Sequence, residues 1–243
     1  MKILALDSSG LTASVAVVED EKLTAEYSVN YKKTHSQTLI PMLDAVRSMT
    51  ELDLGSVDAI AVAAGPGSFT GLRIGSATAK GLGLAMGCPV IAVPTVEGLA
   101  YQMYGTDKLI CPIMDARRNQ VYTGLYEFCR EGAESPAVYA FHILKEQCAI
   151  SIEEIARCCN ALAREVIFLG DGVPVYREVL GSLMQVPYSF APAHRSMQSA
   201  AAVGVYGQVL YRKGVCESAA AHCPQYLRLS QAERERLEKE GRT

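Results

Sequence analysis

"AVAAGPGSFTGLRIGSATAKGLGLAMG", residues 61–87, carries seven of the chain's twenty glycines, and its reading decides the fold. An apolar run, "VDAIAVAAG" (57–65), leads into it; a Gly-Pro-Gly turn follows, then a long stretch of small and apolar residues. That order predicts a buried strand, a tight turn and a helix starting near Ser68 or Thr70, the unit from which α/β folds are built. The turn is not a Walker loop, because Gly67 is followed by Ser-Phe-Thr, Gly71, Leu72 and Arg73, with no Gly-Lys-Ser/Thr. Nor is it a nucleophile elbow: Ser68 has Pro66 and Thr70, not glycines, two positions to either side. Arg73 and Lys80 exclude a bilayer span. A helix start offers free backbone N–H groups to an anion, as any strand-turn-helix does.

The sharper feature is a spacing. Gly71, Gly75, Ala79 and Gly83 recur every four residues and form one stripe along the helix. A glycine inside a helix costs roughly 0.8–1 kcal/mol relative to alanine, so three on one face require an offsetting gain. Close approach of another backbone supplies it. Two sources are open: this chain's own sheet or its neighbouring helix, and the helices of a partner.

Outward from this stretch the chain nearly repeats itself. "KILALDSSGLTASVAVVE" (2–19) and "KLICPIMDARRNQVYTGLYE" (108–127) each open with Lys, run through apolar residues to an aspartate (Asp7, Asp115), turn, and start a second strand. The spacing predicts two related lobes, each opening with a hairpin, with a boundary near 105–108. Further elements are a strand at 22–30, a helix at 35–49 capped by Ser36 with Pro41 in its first turn, a strand at 89–93 and a helix at 95–104. The second lobe is read as a strand at 137–143, a helix at 151–163, a strand at 165–169 and a last helix over about 197–212. The tail "LSQAERERLEKEGRT" interleaves acids and bases and reads as a solvated end.

Composition narrows the classes. With 243 residues and 49% hydrophobic content, the chain can build two modest cores. A net charge of −3 gives no global attraction for nucleic acid or anionic membrane, so RNA contact requires a local patch or a partner's surface. Eight scattered cysteines without a CxxC, and an N-terminal "MKILALDSSG" without a signal-peptide core, lead to the expectation of a reducing cytoplasm. The four histidines stand at no metal-ligand spacing, and no Ser-His-Asp or Cys-His set assembles. Asp7 and Asp115 at equivalent strand ends, Ser8 and Ser9, and Gly170, Asp171 and Gly172 between a strand and a helix are candidates for contacting a nucleotide or Mg²⁺, or for capping turns.

Taken together, "LALDSSGLTASVAV", "HSQTLIPML", "VDAIAVAAG", "GPGSFTGLRIGSATAKGLG", "MDARRNQVY" and "PQYLR" resemble the bacterial TsaB family, also called YeaZ, over most of the chain. The family is the accessory subunit of the tRNA N6-threonylcarbamoyladenosine (t6A) synthase. The resemblance implies the actin/sugar-kinase/Hsp70-like (ASKHA) α/β fold, a duplicated βββαβαβα. The lobes are then 1–106 and 107–230, followed by a charged tail at 231–243. The related catalytic TsaD carries a helix like "VNHMEGHL" whose two histidines hold a metal. Here the matching stretch is "VPTVEGLA", with Thr95 and Leu99 in their places and Glu97 and Gly98 kept. Gln198 stands where TsaD has an aspartate that helps hold the metal. By resemblance the chain has no catalytic residue and no metal site, and ATP with Mg²⁺ enters only at the level of the complex. The implied partners are a TsaD-type paralogue, a TsaE-type P-loop ATPase, a second copy when alone, and tRNA through the complex, with no membrane. In the family, helices matching 35–49 and 70–86 form the association surface. That favours docking for the stripe and assigns the interface to His35, Leu39, Leu43, Gly71, Arg73, Gly75, Ala79 and Gly83. Gly71→Leu or Gly75→Leu is then expected to block pairing while leaving the monomer folded. Arg73, Arg117 and Arg118 are candidates for tRNA contact. The alternative reading is an ATPase or phosphotransferase that uses Asp7 and Asp115.

Overall fold

A computed structural model describes residues 1–133 and 136–228; the charged tail at 231–243 lies outside them. Three strands open the chain, β1 (Lys2–Asp7), β2 (Ala13–Glu19) and β3 (Lys22–Val29), followed by α1 (His35–Thr50), β4 (Ala59–Gly65), α2 (Phe69–Met86), β5 (Val90–Pro94) and α3 (Thr95–Tyr101). The order then repeats. It gives β6 (Leu109–Asp115), β7 (Gln120–Glu131), β8 (Val138–Ser151), α4 (Ile152–Ala161), β9 (Val166–Leu169), α5 (Val173–Leu183), β10 (Tyr188–Phe190) and α6 (Ala200–Arg212).

The two sheets have one topology. The first runs β3-β2-β1-β4-β5 and the second β8-β7-β6-β9-β10. In each, the opening three strands are antiparallel and the next two add in parallel to the first. Asp7 and Asp115 end the equivalent central strands, so the duplicated ASKHA-like α/β fold read from the sequence is the fold observed.

Helices cover both faces of each sheet. On the first, Leu39, Leu43 and Val46 of α1 and Ala79 of α2 pack over Leu4, Val15 and Ile60. On the second, Ile155 and Cys159 of α4 and Tyr176 and Leu180 of α5 pack over Cys111, Val121 and Phe168. The helices that close the two repeats lie between the sheets. Val203 and Tyr206 of α6 pack on Ala5, Ala61 and Ile91 of the first sheet, while Val96 and Leu99 of α3 pack on Ile110, Met114 and Tyr126 of the second. A Cβ on Gly204 would stand 3.1 Å from the Ala5 methyl, and one on Gly207 2.8 Å from that of Ala61, so small residues on both sides set how closely α6 approaches. A cut at 106 therefore separates the sheets but leaves α6 on the first.

Local expectations differ in three places. Thr34, not Ser36, occupies the N-cap of α1, and Pro41 lies one turn deeper than expected. Strand β8 runs on to Ser151, whose hydroxyl accepts the Glu154 N–H and starts α4. The three-residue β10 was not anticipated, because so short a run carries no periodicity.

Candidate functional site

The equivalent ends of β1 and β6 open into a cleft of about 620 Å³. Its walls are the β1–β2 turn (Ser9, Gly10), the start of α2 (Gly67, Ser68), the β6–β7 turn (Asp115 to Arg118) and Asp171. Of the seven candidates for contacting a nucleotide or Mg²⁺, Ser9, Asp115 and Asp171 line it. Asp7 is 2% exposed, and its Oδ1 accepts the Ser9 N–H (2.8 Å) and hydroxyl (2.6 Å). Burial pushes the Asp7 carboxyl up to about 6 against the pull of those bonds. Ser8 is not free for a ligand, because its buried hydroxyl donates to the Gly71 carbonyl at 2.9 Å. Gly170 and Gly172 let the chain pass close to β6: a Cβ on Gly170 would stand 2.2 Å from the Ile113 carbonyl oxygen, and the Gly172 N–H donates to that same oxygen at 3.0 Å.

At the cleft, Asp115 accepts the Arg117 N–H at 2.9 Å and pairs with its guanidinium at 3.4 Å. Burial raises Asp171 to about 6, with the Asp115 N–H and, least, the nearby Gln198 amide opposing it. Asp171 Oδ1 and both polar atoms of Gln198 lack a hydrogen bond of good geometry among the described residues. His35 Nε2 meets the Gly10 carbonyl at 2.8 Å, leaving its buried Nδ1 unpaired. Sequence reasoning missed Tyr31 and Lys33 before α1 and gave no role to Tyr226 and Arg228, which line the same cleft. "PQYLR" carried a signal only through the family.

The glycine stripe faces inward, which corrects its assignment to a partner interface. Gly71, Gly75, Ala79 and Gly83 are buried within the chain, as are Leu39 and Leu43. A Cβ on Gly71 would stand 2.0 Å from the Ser8 carbonyl oxygen, and one on Gly75 2.6 Å from the Ser8 hydroxyl. Gly83 faces residue 219, where a Cβ would stand 2.7 Å from the Ala219 methyl. Leucine at 71 or 75 is therefore expected to disturb the fold itself, where the sequence reading expects an intact monomer.

The backbone occupying the far end of the stripe is the chain's own C-terminal arm, residues 213–228. Glu217 bridges to Val90, the Gln225 N–H donates to the Ala64 carbonyl at 2.7 Å, and the Tyr226 ring packs 4.8 Å from Phe69. Arg228 then donates to the Ala116 carbonyl across the cleft. Arg73, the exposed member of the expected interface, lies 4.1 Å over the Phe69 ring and donates to the Tyr226 hydroxyl at 3.3 Å. The arm also assembles a set the sequence did not reveal. Ser76 Oγ lies 3.0 Å from His222 Nε2, and His222 Nδ1 lies 2.8 Å from Glu217. Ser76 is 5% exposed in the middle of α2, where the backbone N–H groups are spent on the helix and cannot serve as oxyanion donors. The set works as a tie between arm and helix.

On α3, the Thr95 hydroxyl accepts the Gly65 N–H at 3.0 Å, and Leu99, 2% exposed, packs with Val96 and Leu169. Glu97 accepts the Tyr206 hydroxyl at 2.6 Å, and burial raises its pKa. Among the described residues no three His, Cys, Asp or Glu side chains are grouped to hold a metal ion, and no helix is long and apolar enough to cross a membrane.

Comparisons with known proteins converge. The family model for TsaD, tRNA N6-adenosine threonylcarbamoyltransferase, matches residues 22–236. The chain is 31% identical over 240 residues to the tRNA threonylcarbamoyladenosine biosynthesis protein TsaB of Bacillus subtilis, covering 98% of this chain and 99% of that one. It is 32% identical over 154 residues to the protein of the same name from Escherichia coli K12, covering 60% and 66%. The solved structure of YeaZ from Pseudomonas aeruginosa superposes with a TM-score of 0.76 at 26% identity, covering 93% of this chain and 99% of that one.

Proposed function

Because the chain belongs to the TsaB (YeaZ) family, we propose that it acts in t6A biosynthesis on tRNA as an accessory subunit that docks to and activates a TsaD-type transferase. The transferase moves threonylcarbamoyl from threonylcarbamoyl-AMP to N6 of the adenosine 3′ of the anticodon. A TsaE-type ATPase joins the complex, and the site of action is the cytoplasm. The observation that carries the non-catalytic reading is Leu99: it offers no donor atom and sits 2% exposed in the core at the position of a TsaD metal ligand.

For docking, the exposed faces of α1 and α2 replace the buried stripe. Ile40 and Met49 on α1 and Leu84 on α2 are 53%, 87% and 59% exposed. Between Arg73 and Leu84, Ala77 and Gly81 are exposed as well, and a Cβ on Gly81 would meet nothing within 4 Å. An exposed mid-helix glycine has no reason inside the chain, whereas a closely approaching partner helix supplies one. The same patch serves a homodimer when the transferase is absent. The test is a threonylcarbamoyl-transfer assay on unmodified tRNA. The chain alone gives no product, the transferase alone little, and the mixture a rate at least about tenfold higher, worth about 1.4 kcal/mol of barrier. An equal rate with and without the chain overturns the proposal.

A further inference from the structure

We propose that the interlobe cleft takes one unpaired nucleotide of an RNA strand, with the phosphate backbone at the rim and the base inside. The inference rests on the tRNA reading above and places an RNA contact on this chain.

Charge in the cleft is sorted by depth. Lys33, Arg117 and Arg118 are exposed at the mouth and come from two separate segments, and Arg228 of the arm joins them. Asp115 and Asp171 lie lower, the Asp115 side chain being 19% exposed. Arg117 is held by Asp115 and Arg228 by the Ala116 carbonyl, while the Lys33 and Arg118 side chains have no hydrogen-bond or ion-pair partner among the described residues. In a chain of net charge −3, a mouth with two free cations is a local phosphate-attracting feature.

Aromatic faces stand beside these cations. Tyr31 is 70% exposed and Tyr226 40% exposed, both on the cleft wall, and such faces stack bases of any sequence. The floor then selects against phosphate and for a base edge. Its carboxylates repel an anion, and the unpaired Asp171 Oδ1 is an acceptor suited to a base amino or imino N–H. His35 Nδ1, also buried and without a partner, belongs to a second residue that lines the same cleft. Buried polar groups left without partners in one place point to a polar occupant. A free polyphosphate would set its charge against the floor. A strand keeps its phosphates at the mouth.

The test is fluorescence anisotropy with a labelled RNA stem-loop and a blunt duplex of equal length, using the full chain alone and bound to its TsaD-type partner. The stem-loop is expected to bind at least about tenfold more tightly than the duplex. Lys33→Ala with Arg118→Ala, at exposed unpartnered positions, is expected to weaken stem-loop binding about tenfold and to flatten the log–log salt slope by about 1.4, the loss of two single-strand phosphate contacts. Equal binding of the two RNAs, unchanged binding by the double variant in both forms, or displacement of the stem-loop by equimolar adenosine monophosphate overturns the inference. If the wild-type chain pairs with the transferase while the double variant binds RNA normally, this inference fails and the subunit reading stands. If the wild-type chain does not pair at all, the subunit reading fails.

Discussion

The two sides of α2 use the same kind of residue for opposite ends. On one side, Gly71, Gly75 and Gly83 are small because the Ser8 turn and the C-terminal arm already fill the space where side chains would go. On the other, Ala77, Gly81 and Ala85 are small while exposed, and Gly81 faces open space. The inner stripe is explained by the fold. On the outer side only Gly81 costs helix stability, and it returns nothing within the chain. Small-residue spacing thus does not by itself say what a helix face packs against: the inner side is filled by the chain itself, and a partner on the outer side is our proposal.

The contrast can be broken on its inner side first. Gly71→Leu is expected to cost at least about 3 kcal/mol, the upper range for overpacking, because its Cβ would overlap a backbone carbonyl that cannot swing away. Urea denaturation measures this, and a loss below about 1 kcal/mol would mean that Ser8 is not held where it stands. His222→Ala removes the tie between arm and α2 and strands the buried Ser76 hydroxyl, an expected loss of about 1–3 kcal/mol. Amide exchange of residues 217–226 is expected to speed up in that variant more than exchange in the central strands.

Asp171→Asn tests the cleft floor. The carboxyl is raised from 3.8 to about 6 by burial, so the folded state holds the proton more tightly than the unfolded one. The stability this group contributes is full below about pH 4 and is lost as pH rises through about 6. Asn removes the cost of the buried charge, and the variant is expected to be more stable at pH 7 by about 1–2 kcal/mol, the gain vanishing near pH 4. Denaturation midpoints across that range check the sign; a variant less stable at pH 7 would mean that the charge is well solvated. The smallest effect on stability belongs to the outer side: Gly81→Leu is expected to raise it by roughly 0.5–0.8 kcal/mol through helix propensity alone.

Much of the fold was legible because it is written in local patterns. The two apolar runs ending at Asp7 and Asp115 are the first strands of topologically identical sheets. The Gly-Pro-Gly turn leads into α2, capped by Ser68, whose side chain accepts the Gly71 N–H. The orientation of the stripe was not legible, since small residues line both sides of α2 and give a periodicity argument little contrast. The arm was missed for a related reason: residues 213–228 have neither strand nor helix period, and their position is fixed by contacts far away in sequence, such as Gln225 with Ala64. The Ser76–His222–Glu217 tie joins residues up to 146 positions apart and has no motif. Of the cleft, the turn aspartate Asp115 and the strand-to-helix Asp171 are legible from their places in the sequence pattern, whereas Lys33 and Arg228 need the fold to bring them in.

The most direct test of the account is a binding titration of the Gly81→Leu chain against the TsaD-type transferase of the same cells, with its unfolding curve recorded alongside. The account predicts a monomer at least as stable as wild type and an affinity at least about tenfold weaker, a loss of about 1.4 kcal/mol. Wild-type affinity in a normally folded Gly81→Leu chain would contradict docking through the outer face of α2.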